Sequence, residues 1–106
     1  MADARRFDIV IVGAGPAGLA AALYAGRNME HAVLLESKAP GGQLLNTELI
    51  EDYPGVKSVL GVDLAQVMMD QATGFGTELV SAEVETILVH DDGLKTVRTL
   101  VWERVK

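Results

Sequence analysis

The chain has 106 residues, about half of them apolar, with a formal charge of −6 and no cysteine. That length holds at most one modest domain, which buries roughly 65% of its unfolded surface. The acid excess argues against a broad nucleic-acid or anionic-membrane surface, since both need clustered Lys and Arg, and the lack of thiols excludes a disulfide framework, a thiolate metal site or a dithiol redox centre.

Met1 to Arg6 is polar. Arg5-Arg6 followed by an uncharged stretch from Ile9 to Gly26 imitates a signal peptide or membrane span. Asp8 precedes that stretch, Gly13, Gly15, Pro16 and Gly18 interrupt it, and its length is at the lower limit for spanning, so the expectation is a cytoplasmic chain with no membrane contact.

Phe7 to Val12 is an apolar run expected to form a strand covered on both faces, as in a parallel sheet. Gly13-Ala14-Gly15-Pro16-Ala17-Gly18 comes next, and then a helix predicted over Pro16 to Arg27 with a C-cap near Asn28, a residue that tolerates the left-handed conformation. Ala32-Val33-Leu34-Leu35-Glu36 is the second, parallel strand. Each residue type in this βαβ unit suits a dinucleotide. Gly13 permits the tight turn, Gly15 lets the backbone approach phosphate oxygens, and Gly18 lets the helix lie against the strand. Pro16 and Ala17 open the first helical turn, whose free N–H groups and positive dipole end favour an anion. Glu36, 18 residues beyond Gly18, can accept two ribose hydroxyls and repels a 2′-phosphate. The competing reading is a glycine turn in an ordinary α/β core with a solvated Glu36.

Ser37 to Lys57 carries Gly41-Gly42-Gln43 and Tyr53-Pro54-Gly55 with little periodicity, which is long for an irregular segment. Its apolar residues argue for order against something; composition alone does not separate that from a surface loop capping the sheet. Gly61 to Phe75 is predicted as the second helix, with Leu64, Ala65, Met68, Ala72 and Phe75 on one face and Met68 and Met69 as core filling. Thr77 to Ser81 is a third strand, parallel by the right-handed crossover rule. Val84 to Val89 and Lys95 to Trp102 form a hairpin with Asp92-Gly93 in its turn, appended to the parallel sheet. Trp102 either packs across this hairpin or marks a partner surface. His31, His90 and Asp91-Asp92 read as surface and turn residues. No hydrolase elbow, zinc-protease or P-loop motif is present, so any redox chemistry must come from a bound cofactor.

The glycine opening, Glu36, Gly41-Gly42-Gln43-Leu44, Thr47, Ile50-Glu51-Asp52-Tyr53-Pro54-Gly55 and the helix from Gly61 resemble the N-terminal FAD-binding region of bacterial thioredoxin reductase, from about residue 7 to 101. The resemblance implies a partial Rossmann-like α/β domain over 1–106. Within it, 7–36 is the βαβ fingerprint, 37–60 the flavin loop, 61–81 helix and strand, and 84–102 the hairpin. It implies FAD as cofactor, with Gly13, Gly15, Pro16, Ala17, Gly18, Glu36 and Ser37 at the ADP half. Gly41, Gly42 and Gln43 would meet the ribityl and flavin portion, Thr47 and Asp52 the isoalloxazine ring, and the Val84 backbone the adenine. Asp52 stands where the family commonly has asparagine, and an ionised carboxylate cannot donate as the amide does.

Members of the family pass electrons from NADPH to FAD to a Cys-x-x-Cys dithiol to thioredoxin. Neither a second nucleotide domain nor a dithiol occurs in these 106 residues. The expectation is therefore a truncated, non-catalytic portion. Its exposed sheet edge and hairpin face would need the remainder of a reductase or a second copy to cover them. A non-catalytic interaction module and the NAD-binding half of a dehydrogenase are the alternatives.

Overall fold

A computed structural model describes residues 4–100. Strand β1 (Ile9–Val12), helix α1 (Pro16–Arg27) and strand β2 (Ala32–Glu36) form the first unit, and α2 (Gly61–Gly74) leads to β5 (Glu78–Ser81). The three strands make a parallel sheet in the order β1-β2-β5, with Ile11 beside Leu34 and Leu34 beside Leu79. Because side chains alternate along a strand, Ile11, Leu34 and Leu79 share the face that α1 and α2 cover. There Leu19 and Leu34, 1% and 0% exposed, meet Ala14, Ala22 and Ala72, with Met68 and Met69 packed against them. Alanines on both helices permit their close approach, and the buried Thr77 hydroxyl donates to the Ala22 carbonyl at 2.8 Å. Each fully buried leucine contributes about 1.5–3 kcal/mol.

The opposite sheet face is covered over β2, where Val33 and Leu35 are buried, but much less over β1, which therefore lacks the cover on both sides that its apolar run suggests. Val10 and Val12 remain 37% and 51% exposed. They lie on the face away from the helices, and β1 is an edge strand. Hairpin strands β6 (Val84–Val89) and β7 (Lys95–Thr99) do not extend the parallel sheet either; they form a two-stranded sheet of their own. Their connection is a His90–Gly93 turn in which the Gly93 N–H donates to the His90 carbonyl at 3.0 Å and Gly93 takes φ +88. Between this face and β7 lies a groove of about 380 Å³, lined by Val10, Val33, Leu35, Val80, Leu94 and Val97 among others. The Trp102 expectation falls outside the described residues.

The N-terminal segment crosses the start of the sheet. Arg5 pairs with Glu78 through both guanidinium nitrogens at 2.8 and 2.9 Å, and its head lies 4.8 Å from the Phe7 ring. The Arg5 hydrogen bonds hold the Glu78 carboxyl below the usual glutamate range. Both groups are exposed, so this pair orients the segment more than it stabilises it.

Helix α1 is capped at Asn28 as expected, but the left-handed conformation is not there. Asn28 has φ −84, and the left-handed position is taken instead by Met29 at φ +60. Met29 N–H donates to Gly26 O and Glu30 N–H to Ala25 O, both at 3.0 Å, which is a Schellman closure with methionine where glycine is usual. A non-glycine residue there costs about 1–2 kcal/mol.

The 37–60 segment is more regular than its sequence suggests. Gly42–Asn46 is a 3₁₀ turn, and β3 (Leu49–Ile50) pairs antiparallel with β4 (Val59–Leu60), fastening the two ends of the loop together. Gly61 then starts α2 against that turn. A Cβ at Gly61 would overlap the Leu44 and Thr47 carbonyl oxygens, so the loop and α2 meet backbone to backbone.

Candidate functional site

At the carboxyl end of the parallel strands, three segments distant in sequence converge. The first is the glycine turn. Gly13 has φ +99 and its N–H donates to the Leu35 carbonyl at 2.8 Å, so the chain turns sharply off β1 while still tied to β2. A Cβ on Gly18 would sit 1.8 Å from the Gly13 carbonyl oxygen, which puts α1 directly on the turn. The first intrahelical donor is Leu19 N–H, to Gly15 O at 2.9 Å. The Ala17 and Gly18 N–H groups therefore precede the helical ladder. Among the described residues, α1 has no side-chain cap and no acid in its first turn. The helix therefore supplies no anion of its own to its positive end.

Gly15 differs from the other two glycines. Its φ −77 and ψ −175 are open to any residue, and no described atom other than its own neighbours lies within 4 Å of where its Cβ would be. Neither backbone strain nor internal packing calls for glycine here. The open space lies beside the uncapped start of α1, which is where an approaching anion would need a bare backbone.

The second segment is Glu36 to Lys38 at the end of β2. Glu36 is half-buried. Its Oε1 accepts from Ala14 N–H at 2.7 Å and its Oε2 from Lys38 N–H at 2.9 Å, with the exposed Ser37 between them. The third is the loop from Gly41. Gly41 N–H donates to the Ala14 carbonyl at 2.7 Å, and a Cβ on Gly42 would lie 3.0 Å from the Gly15 Cα. Gly13, Gly15, Pro16, Ala17, Gly18, Glu36, Ser37, Gly41 and Gly42 thus occupy one region.

The remaining sequence candidates sit around it or apart. Gln43 lies in the 3₁₀ turn and Thr47 caps its end, the Thr47 hydroxyl donating to the Gln43 carbonyl at 3.1 Å. Ala82 N–H donates to Glu36 O at 2.9 Å, so the chain passes Glu36 just before Val84 opens β6. Asp52 lies in the exposed 51–55 stretch and shares no hydrogen bond with the cluster. Ala14 and Lys38 were not among the sequence candidates. Both act through their backbone, and no residue type signals that role. Among the described residues, no group of three or more His, Cys, Asp or Glu could hold a metal, and no helix is long and apolar enough to cross a membrane.

The sequence from residue 7 to 101 matches the pyridine nucleotide-disulphide oxidoreductase family. Thioredoxin reductase of Bacillus subtilis is 39% identical over 88 residues, covering 83% of this chain and 28% of that protein. The Listeria innocua thioredoxin reductase is 42% identical over 82 residues, covering 77% of this chain and 26% of that protein. Among solved structures, Lactococcus lactis thioredoxin reductase superposes with a TM-score of 0.84 at 40% identity, over 89% of this chain and 31% of that one. The chain thus spans under a third of the length of these relatives.

Proposed function

This chain belongs to the pyridine nucleotide-disulphide oxidoreductase family, and on that premise we propose that it is the FAD-binding portion of a thioredoxin-reductase-like flavoprotein. One observation carries the reading. Gly15 is a glycine that the fold does not need, facing open space beside the uncapped N-terminus of α1. A pyrophosphate supplies the missing reason: its oxygens approach the backbone where any side chain would stand, and the Ala17 and Gly18 N–H groups donate to them.

Glu36 accepts the ribose hydroxyls. Each carboxylate oxygen has two acceptor sites, so the bonds from Ala14 and Lys38 leave one on each. The same charge disfavours a 2′-phosphate. Ser37 lines the ribose side and the Val84 backbone the adenine. Gly41 and Gly42 run along the ribityl chain, Gln43 and Thr47 face the flavin end, and Asp52 contributes there only as an acceptor. When bound, FAD supplies two-electron transfer between a nicotinamide and a disulfide. The chain's own task is to hold and orient it. Catalysis then requires the remainder of a reductase, or a second copy, packed on the exposed β1 edge and the groove. A disulfide reductase works in a reducing compartment, which makes the cytoplasm its place on this reading.

Titration of the 106-residue chain with FAD, followed by flavin fluorescence with NAD as competitor, tests the assignment. Saturable one-to-one FAD binding, with NAD at least about tenfold weaker, is expected. Tighter NAD binding would make the chain the nucleotide half of a dehydrogenase. A folded chain that binds neither would make it an interaction module.

A further inference from the structure

Both backbone polar groups of Ala14 are committed to segments more than twenty residues away. Its N–H donates to Glu36 Oε1 and its carbonyl accepts from Gly41 N–H, each at 2.7 Å. Ala14 itself is fully buried, so these groups have no water to fall back on. The other Glu36 oxygen is anchored 2.9 Å from Lys38 N–H. The carboxylate is thereby fixed by its own strand end on one side and grips the phosphate turn on the other. Bonds of this charge-assisted kind are about twice as strong as neutral ones.

We propose that Glu36 is a positioning residue for the pyrophosphate in addition to its part in ribose binding: its carboxylate sets the Gly13–Gly15 turn, and through Ala14 the Gly41 loop, before any nucleotide arrives. The proposal rests on the reading of this region as an ADP-binding site. It separates two duties that one carboxylate performs at once. Acceptance of hydroxyls needs a ribose, whereas the grip on Ala14 acts on any ligand that uses the phosphate turn. A neutral amide of the same shape cannot do both halves of the grip, because its NH₂ must face either the Ala14 or the Lys38 N–H.

The test pairs ADP with 2′,3′-dideoxy-ADP, which has the same phosphates and no ribose hydroxyls. Affinities are measured calorimetrically for the unaltered chain, Glu36→Gln and Glu36→Asp. Amide exchange at Ala14 in the ligand-free chain is followed by NMR, with the core amide of Leu34 as the control for folding. Glu36→Gln is expected to weaken dideoxy-ADP about tenfold, the worth of one such hydrogen bond, and to weaken ADP further. Ala14 exchange is expected to rise at least about tenfold while Leu34 stays protected. Glu36→Asp, with its carboxylate one methylene short, shifts Ala14 in the same direction and serves if the glutamine variant does not fold. Unchanged dideoxy-ADP affinity beside weakened ADP would overturn the proposal and leave Glu36 as a ribose acceptor alone, as would unchanged Ala14 exchange in both variants. If the unaltered chain binds neither ligand, the ADP-site reading fails and takes the pyrophosphate role with it. Ala14 exchange would then still report whether the carboxylate holds the turn.

Discussion

Gly18→Ala is expected to cost at least about 3 kcal/mol and to lower the melting temperature by about 15 °C. The added carbon would stand 1.8 Å from the Gly13 carbonyl oxygen and 3.0 Å from its carbon. Both obstacles are backbone, so no side-chain rotation relieves them. Helix α1 would have to lift off the turn, taking Leu19 and Ala22 away from Leu34 and opening the small core they share. Out of a total stability of about 5–15 kcal/mol for a chain of this size, that is a large share. Thermal unfolding followed by far-ultraviolet circular dichroism measures it. A melt within about 2 °C of the unaltered chain would show that α1 does not sit on the turn as described.

Gly15→Val should do the reverse. Its backbone angles are open to valine and its Cβ direction is empty. The expected loss of stability is no more than about 1 kcal/mol, from a poorer residue at the helix cap. Affinity for FAD should fall at least about 100-fold, because the branched side chain occupies the space through which phosphate reaches the Ala17 and Gly18 N–H groups. Calorimetric titration beside a thermal melt separates the two effects. FAD binding that survives in a folded Gly15→Val chain would remove the reason offered here for that glycine. The two variants change neighbouring glycines of one motif, and they are expected to fail for unrelated reasons.

The motif already separates these reasons, giving Gly18 to the contact of helix and strand and Gly15 to the approach of phosphate. The packing adds their measure: a Cβ at Gly18 would meet the Gly13 backbone, whereas one at Gly15 would meet nothing within 4 Å. Longer elements were legible because periodicity and end signals agreed. Pro16 to Arg27 and Ala32 to Glu36 have the expected bounds, and the second helix differs by one residue at its end.

The β3–β4 pair was not legible, since two residues per strand carry no alternation. Nor was Met29 at the end of α1. A left-handed position usually announces itself by glycine or asparagine; Asn28 is the C-cap, as its residue type suggests, but the left-handed conformation falls on the next residue. The apolar run of β1 does not report burial: Ile9, Val10 and Val12 all remain exposed, because β1 is the edge strand of its sheet, whereas the run in central β2 is buried from Ala32 to Leu35. For the candidate site, the sequence marks the glycines and the acid at the end of β2. It cannot mark the grip of Glu36 on Ala14, which arises only when residues 14, 36 and 41 are brought together by the fold.

The most direct test of the account is an amide NMR map of the chain titrated with FAD. The amides of Gly15, Ala17, Gly18, Glu36, Gly41 and Gly42 should shift together along one saturation curve, while the hairpin tip from Asp91 to Leu94 stays unmoved. Saturation with those six amides unshifted, and with changes concentrated on Val33, Leu35 and Val97 in the groove, would place the ligand on the wrong face of the sheet and contradict the account.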